Sequence, residues 1–190
     1  VWLPWWYWVG RRASLTVLPR VAASVERTTR IGVTGHRDLP EPVLECVSAG
    51  ILDEFSRQGA SGPVEAFSAL AAGADQLFAE LALRGGIPLT AVIPGTGTDY
   101  EGQLGGPEVR SAFRRLLLAC ADRVDLPVER TKEEAYEAAG RWIVDHTDRL
   151  VAVWDGEPAR GVGGTGDIVA YASRVGVPVR VLWRPGARRP

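Results

Sequence analysis

A three-layer α/β domain, built on a mainly parallel sheet of about five to six strands, is the fold the sequence predicts. Three observations predict it. Short apolar runs alternate with longer segments whose apolar residues recur every three or four positions. Glycine and proline punctuate the junctions between them. The 190 residues, 46% hydrophobic and 24% charged, suffice for one well-filled core.

The elements follow in order. Residues 30–35, RIGVTG, form a short apolar run ending in glycine, which reads as a buried strand. Val43, Val47, Ile51 and Phe55 recur every four residues and predict a helix with one apolar face. Residues 64–71, VEAFSALA, read as a second strand entering a loop, and 74–86 as a helix closed by glycines. Residues 88–95, PLTAVIPG, are a third strand, followed by a glycine-rich loop, TGTDYEGQLGGP. A helix over 109–123 places Val109, Phe113, Leu116, Leu117 and Cys120 on its apolar face. Residues 125–130 are expected to form a short strand. Thr131 and Glu134 make a T-x-x-E capping box that opens a helix running to His146. Residues 149–156 are a strong strand, a glycine loop and another helix follow, and 177–183 are the last strand.

The ends read differently. Residues 1–28 hold four of the seven tryptophans, at Trp2, Trp5, Trp6 and Trp8, in an apolar run too short to span a bilayer. They read as a disordered or extraneous extension, and 185–190 as a loose basic tail. The domain proper is expected over 29–184. Cys46 and Cys120 lie far apart with no C-x-x-C, and read as reduced, packed thiols in a cytoplasmic protein. Net charge is −1, and of the 22 basic residues only Lys132 is lysine. No global basic field is present, which argues against nucleic acid as a partner. No membrane association and no metal site are expected.

In a parallel sheet, ligands bind where strands end and loops enter helices. Four loops occupy that edge: TGHRDLPEP, SALAAGAD, PGTGTDYEG and DGEPARGVGGTGD. The last is the most telling. Glycine backbone amides can approach an anion closely, and the helix that follows adds roughly half a positive charge at its N-terminus. Thr165 or Asp167 can cap that helix. No Gly-Lys-[Ser/Thr] follows, so this is not a P-loop. At the first loop, Thr34, Gly35, His36 and Arg37 supply a hydroxyl, a glycine, an imidazole and a guanidinium, the last suited to phosphate. Ser68, Gly73 and Asp75 stand at the second loop, and Pro94 and Gly95 at the third. Tyr100 and Trp154 are candidates for stacking on a base, with core packing the other reading of Trp154.

Together, IGVTGHRDL, SALAAGADQLFAELA, AVIPG and the late GGTGD loop resemble, in order and spacing, the SLOG superfamily, which unites the DNA-processing protein A (Smf) domain with the Lonely Guy (LOG) family. The resemblance covers Thr29 to about Trp183. It implies a Rossmann-like domain with a nucleotide-derived ligand across the carboxyl edge of the sheet. No cofactor besides that ligand is expected. A homodimer is implied by resemblance only, and a sensor of this size would report to a separate effector protein.

LOG enzymes cleave the N-glycosidic bond of nucleoside monophosphates and carry P-G-G-x-G-T-x-x-E. Here Gly163, Gly164 and Gly166 match the glycines, Val162 stands for Pro and Asp167 for Thr. Val169 and Ala170 follow Ile168, so the Glu is missing. Cleavage builds positive charge on the ribose, which an apolar residue cannot stabilise. The leading expectation is therefore binding or sensing of a nucleotide without turnover. The alternatives are a phosphoribohydrolase whose carboxylate comes from Asp167 or Asp155, and single-stranded DNA binding as in DNA-processing protein A.

Overall fold

The computed structural model describes residues 27–129, 131–158 and 163–188. Its elements run β1 (Thr29–Gly35), α1 (Glu41–Gly59), β2 (Val64–Ser68), α2 (Ala74–Arg84), β3 (Leu89–Ile93), α3 (Gly97–Gln103), α4 (Pro107–Ala119), β4 (Asp122–Asp125), α5 (Lys132–His146), β5 (Arg149–Val153), α6 (Thr165–Val175) and β6 (Val179–Leu182). The six strands form one sheet in the order β4-β3-β2-β1-β5-β6. Every pairing is parallel. The expected architecture is present.

Strand periodicity explains the layers. Successive strand side chains face opposite sides of the sheet. Ile31, Val33, Ala66, Leu89, Ala91, Val151 and Val153 therefore share one core with α1, α2 and α4. Phe67, Val92 and Leu150 share the other with α5 and α6. Strands buried on both sides carry continuous apolar runs, as the sequence shows.

Three local expectations need correction. The loop after β3 contains a short helix, α3, capped by Thr96, whose hydroxyl accepts from the Asp99 amide. β4 lies at 122–125 rather than 125–130, as an exposed edge strand, DRVD, with no apolar alternation to betray it. Cys46 is not packed but exposed, because it sits off the α1 face defined by Val43, Val47 and Ile51. Cys120 is half-buried, its thiol pushed up to about 11 by burial.

A buried carboxylate ties the amino-terminal edge together. Glu54 of α1 is fully buried and accepts from Arg149 at 2.7 Å and Arg180 at 2.8 Å. Arg180 also pairs with Asp53 at 2.6 Å. Among the described residues, no helix is long and apolar enough to cross a membrane. The tryptophan-rich segment lies outside the described residues, apart from Arg27 and Thr28 at its end; Arg27 pairs with Asp148. In the tail, the Trp183 indole N–H donates to the Ala187 carbonyl.

Candidate ligand-binding site

From β1 the chain builds outward through β2, β3 and β4, then returns over the other face to form β5 and β6. The order reverses between β1 and β5, which is where crevices form in open parallel sheets. A cavity of about 440 Å³ occupies that crevice. Its walls are the loop after β1, the loop after β2, the first turns of α5 and the glycine loop before α6.

The β1 loop is fixed from three sides. His36 continues the β1–β5 ladder, its amide donating to the Val153 carbonyl. Its ring Nε2 lies 3.0 Å from Asp155 Oδ1, and the ring meets Trp183 edge-on at 5.2 Å. The His36 carbonyl accepts from the Ala74 amide. Gly73 has a φ of +75°, and a Cβ there would overlap the Arg37 and His36 carbonyl groups. Only glycine allows the β2 loop to reach the β1 loop this closely.

The β2 loop turns on Ser68. Its buried hydroxyl accepts from the Leu70 amide at 3.0 Å and donates to the Asp75 carbonyl at 3.2 Å. Leu70 adopts a φ of +57°, uncommon for a side chain of this size, and is fully buried. Asp75, in the first turn of α2, lines the cavity yet is only 6% exposed. Burial pushes its carboxyl up to about 7, opposed by the Ala71 and Ala69 amides, the Arg37 charge and Ser68.

Opposite stand α5 and α6. The capping box at Thr131 and Glu134 is formed in both directions and starts α5 beside the cavity. Lys132, Glu133 and Tyr136 line it from there. The Arg37 guanidinium sits over the Tyr136 ring, 4.3 Å from its centroid, and the Lys132 amine is 5.6 Å from the same ring. Gly163, Gly164 and Thr165 lead into α6 and line the cavity. Gly163 has a φ of +74°, and a Cβ on it would lie 2.8 Å from the Glu137 nitrogen. The glycine loop thus rests directly on the α5 backbone.

The expected residues divide accordingly. Thr34, Gly35, His36, Arg37, Asp75, Gly163, Gly164 and Thr165 line the cavity. Ser68 and Gly73 stand behind the lining and shape it. Asp155 reaches the site through His36. Pro94 and Gly95 end β3 away from the cavity, and Gly166 and the exposed Asp167 are turned out of its lining. Trp154 is not in the lining, and its indole N–H donates to the Glu157 carbonyl at 2.8 Å. Tyr100 is 1% exposed, packed against Phe113 and Tyr136, so it offers no open face to a base. Lys132, Glu133 and Tyr136 were missed. The capping box located the start of α5, but only the strand order shows which loops that start faces.

Comparison by sequence matches no protein-family model and no curated protein. Comparison by structure does find relatives. DNA processing protein A from Streptococcus pneumoniae matches with a TM-score of 0.57 and 20% identity over 81% of this chain. The match covers 50% of that protein, so this chain spans about half its length. DNA processing protein A from Helicobacter pylori, described by its single-stranded DNA binding mode, gives 0.56 and 14%, covering 85% of this chain and 68% of that one. The molybdenum cofactor binding protein of the phototrophic bacterium Rippkaea orientalis gives 0.52 and 16%, covering 82% and 76%.

The fold is the one these DNA processing proteins and the molybdenum cofactor binding protein share. The resemblance read from the four motifs therefore holds at the level of fold. Two expectations are corrected by the same comparison. The expectation of no cofactor is overturned, since a protein of this fold is described as binding molybdenum cofactor. The argument against nucleic acid is not supported, since the DNA processing proteins share the fold whatever the net charge of this chain.

Proposed function

We propose that this chain binds a phosphorylated ligand of nucleotide size in the β1–β5 crevice and holds it without cleaving it, as a sensor does. The observation that carries this reading is the meeting of the α6 N-terminus and its glycine loop with Arg37 and Lys132 around one cavity. Backbone amides, a helix N-terminus and two cations form an anion site at one end of a volume within the range of small-molecule pockets. The absence of turnover is supported by the side chains. Asp167 is exposed and outside the lining, Asp155 is engaged by His36, and positions 169 and 170 are Val and Ala.

The test is a thermal-shift and calorimetric screen with nucleoside monophosphates, phosphorylated cofactors and single-stranded oligonucleotides. Stabilisation of about 3 kcal/mol is expected at a hundredfold excess of a true ligand over its dissociation constant. Gly164→Val, which puts a branched side chain into the lining, is expected to abolish that shift. Equal binding by Gly164→Val refutes the phosphate assignment. A second reading, phosphoribohydrolase, is favoured by Asp75 and Glu133 lining the same cavity. Free base accumulating over many turnovers, followed by chromatography, would promote it over the sensor reading.

A further inference from the structure

The cavity has an inner side that the phosphate reading leaves unexplained. The Tyr136 hydroxyl is buried and makes no hydrogen bond of full geometry, with the Arg37 guanidinium as a donor beside it; the Tyr100 hydroxyl behind it has no hydrogen-bond partner among the described residues. The two rings meet edge-on at 5.8 Å. Asp75 lines the same cavity as Tyr136, and its charge acts on both phenols. Burying a hydroxyl without a partner costs free energy, so native structures rarely leave one unmatched without a use for it. Of the two phenols, Tyr136 lines the cavity beside the buried Asp75 carboxyl, which marks a place where a ligand completes the hydrogen bonding.

We propose that Asp75 and Tyr136 form a second recognition subsite, which takes an uncharged hydrogen-bonding group of the ligand, a ring amine or a sugar hydroxyl, while its phosphate lies at the glycine loop. This rests on the reading of the cavity as a phosphate site. The partition follows from charge. Arg37, Lys132 and the α6 N-terminus attract an anion, whereas the Asp75 carboxyl repels one when ionised and, with the Tyr136 phenol, suits a neutral polar group. Asp75 can serve such a group in either form, donating when protonated and accepting when ionised. Tyr100 supports the subsite from behind through its packing on Tyr136.

The experiment measures three affinities by calorimetry: AMP, ribose 5-phosphate and inorganic phosphate. It uses the full chain and its Tyr136→Phe and Asp75→Asn variants. Tyr136→Phe keeps the ring under Arg37 and removes only the hydroxyl, so its melting temperature is expected to change little. Its affinity for AMP is expected to fall about tenfold while that for inorganic phosphate stays within twofold. If ribose 5-phosphate weakens as much as AMP, the group held is a sugar hydroxyl; if only AMP weakens, it is a ring amine. Equal weakening of all three would mean that Tyr136 acts only by holding Arg37, and unchanged affinities would mean that it touches no ligand. Either result overturns the subsite and leaves the phosphate site standing. Failure of the unaltered chain to bind any of the three overturns the phosphate reading itself, and the subsite with it.

Discussion

His36 Nε2 lies 3.0 Å from Asp155 Oδ1, joining residues 119 positions apart across the point where the strand order reverses. Both side chains are nearly buried, 10% and 6% exposed. The pair holds the β1 and β5 loops at a fixed separation. His36→Ala is therefore expected to destabilise the fold by about 1–3 kcal/mol, the cost of a buried polar group losing its partner. A double-mutant cycle with Asp155→Ala, measured by urea denaturation, is expected to show coupling of similar size. Additivity of the two substitutions would remove the pair from the account of the site.

Asp75 sets a second expectation, for stability against pH. Its carboxyl in the folded chain is raised from 3.8 to about 7. The folded chain therefore binds a proton more readily than the unfolded chain. The resulting stabilisation is fully present below about pH 4 and is lost as pH rises through about 7. The slope is at most about 1.4 kcal/mol per pH unit. Arg37, Tyr100 and Tyr136 face this group, and Lys132, Glu133 and Asp38 share its cavity. Denaturation midpoints across pH 4–8 are expected to flatten in Asp75→Asn relative to the unaltered chain.

Gly73 gives a third. Gly73→Ala forces a Cβ into the Arg37 carbonyl at a φ that side chains resist. The loss is expected to exceed the roughly 1 kcal/mol of an ordinary glycine-to-alanine conformational penalty. Ligand affinity is expected to fall with it, because the overlap falls on the backbone that carries Arg37. Denaturant melts and calorimetry on the same variant would separate the two effects.

Glu54 gives the fourth. Burial pushes its carboxyl up, but hydrogen bonds from Arg180, Arg149 and Gln58 outweigh burial and hold it below the usual carboxylate range. Its contribution is thus present above about pH 4.5 and lost as pH falls through its lower folded value. Glu54→Ala strands Arg149, and a loss of about 3–5 kcal/mol is expected at neutral pH. A loss below 1 kcal/mol in urea denaturation would show that solvent reaches the two guanidinium groups.

How far the sequence foretold the molecule follows from what each signal encodes. The β1, β3 and β5 runs and the α1 period of Val43, Val47, Ile51 and Phe55 were legible because burial itself writes the pattern. α3 was hidden because Gly97 and Gly102 belong to loop vocabulary, while the residue that secures it, Tyr100, packs on the distant Phe113 and Tyr136. That the glycine loop and Arg37 line one cavity is in keeping with their local chemistry. Lys132 and Tyr136 were missed, because a helix start says nothing of its neighbours until the strand order is known. Trp154 stands at a strand end outside the lining, which its sequence neighbours do not reveal.

The pairing of β1 with β5 also bears on the order in which the chain acquires its shape. One edge of β1 is covered early, by β2, through Thr29↔Val64 and its neighbours. The other waits for Arg149–Val153, more than a hundred residues later. Until that segment leaves the ribosome, an apolar strand edge stays open to pairing with other chains. Ligand capture, which needs both sides of the β1–β5 crevice, would then report that this longest loop has closed.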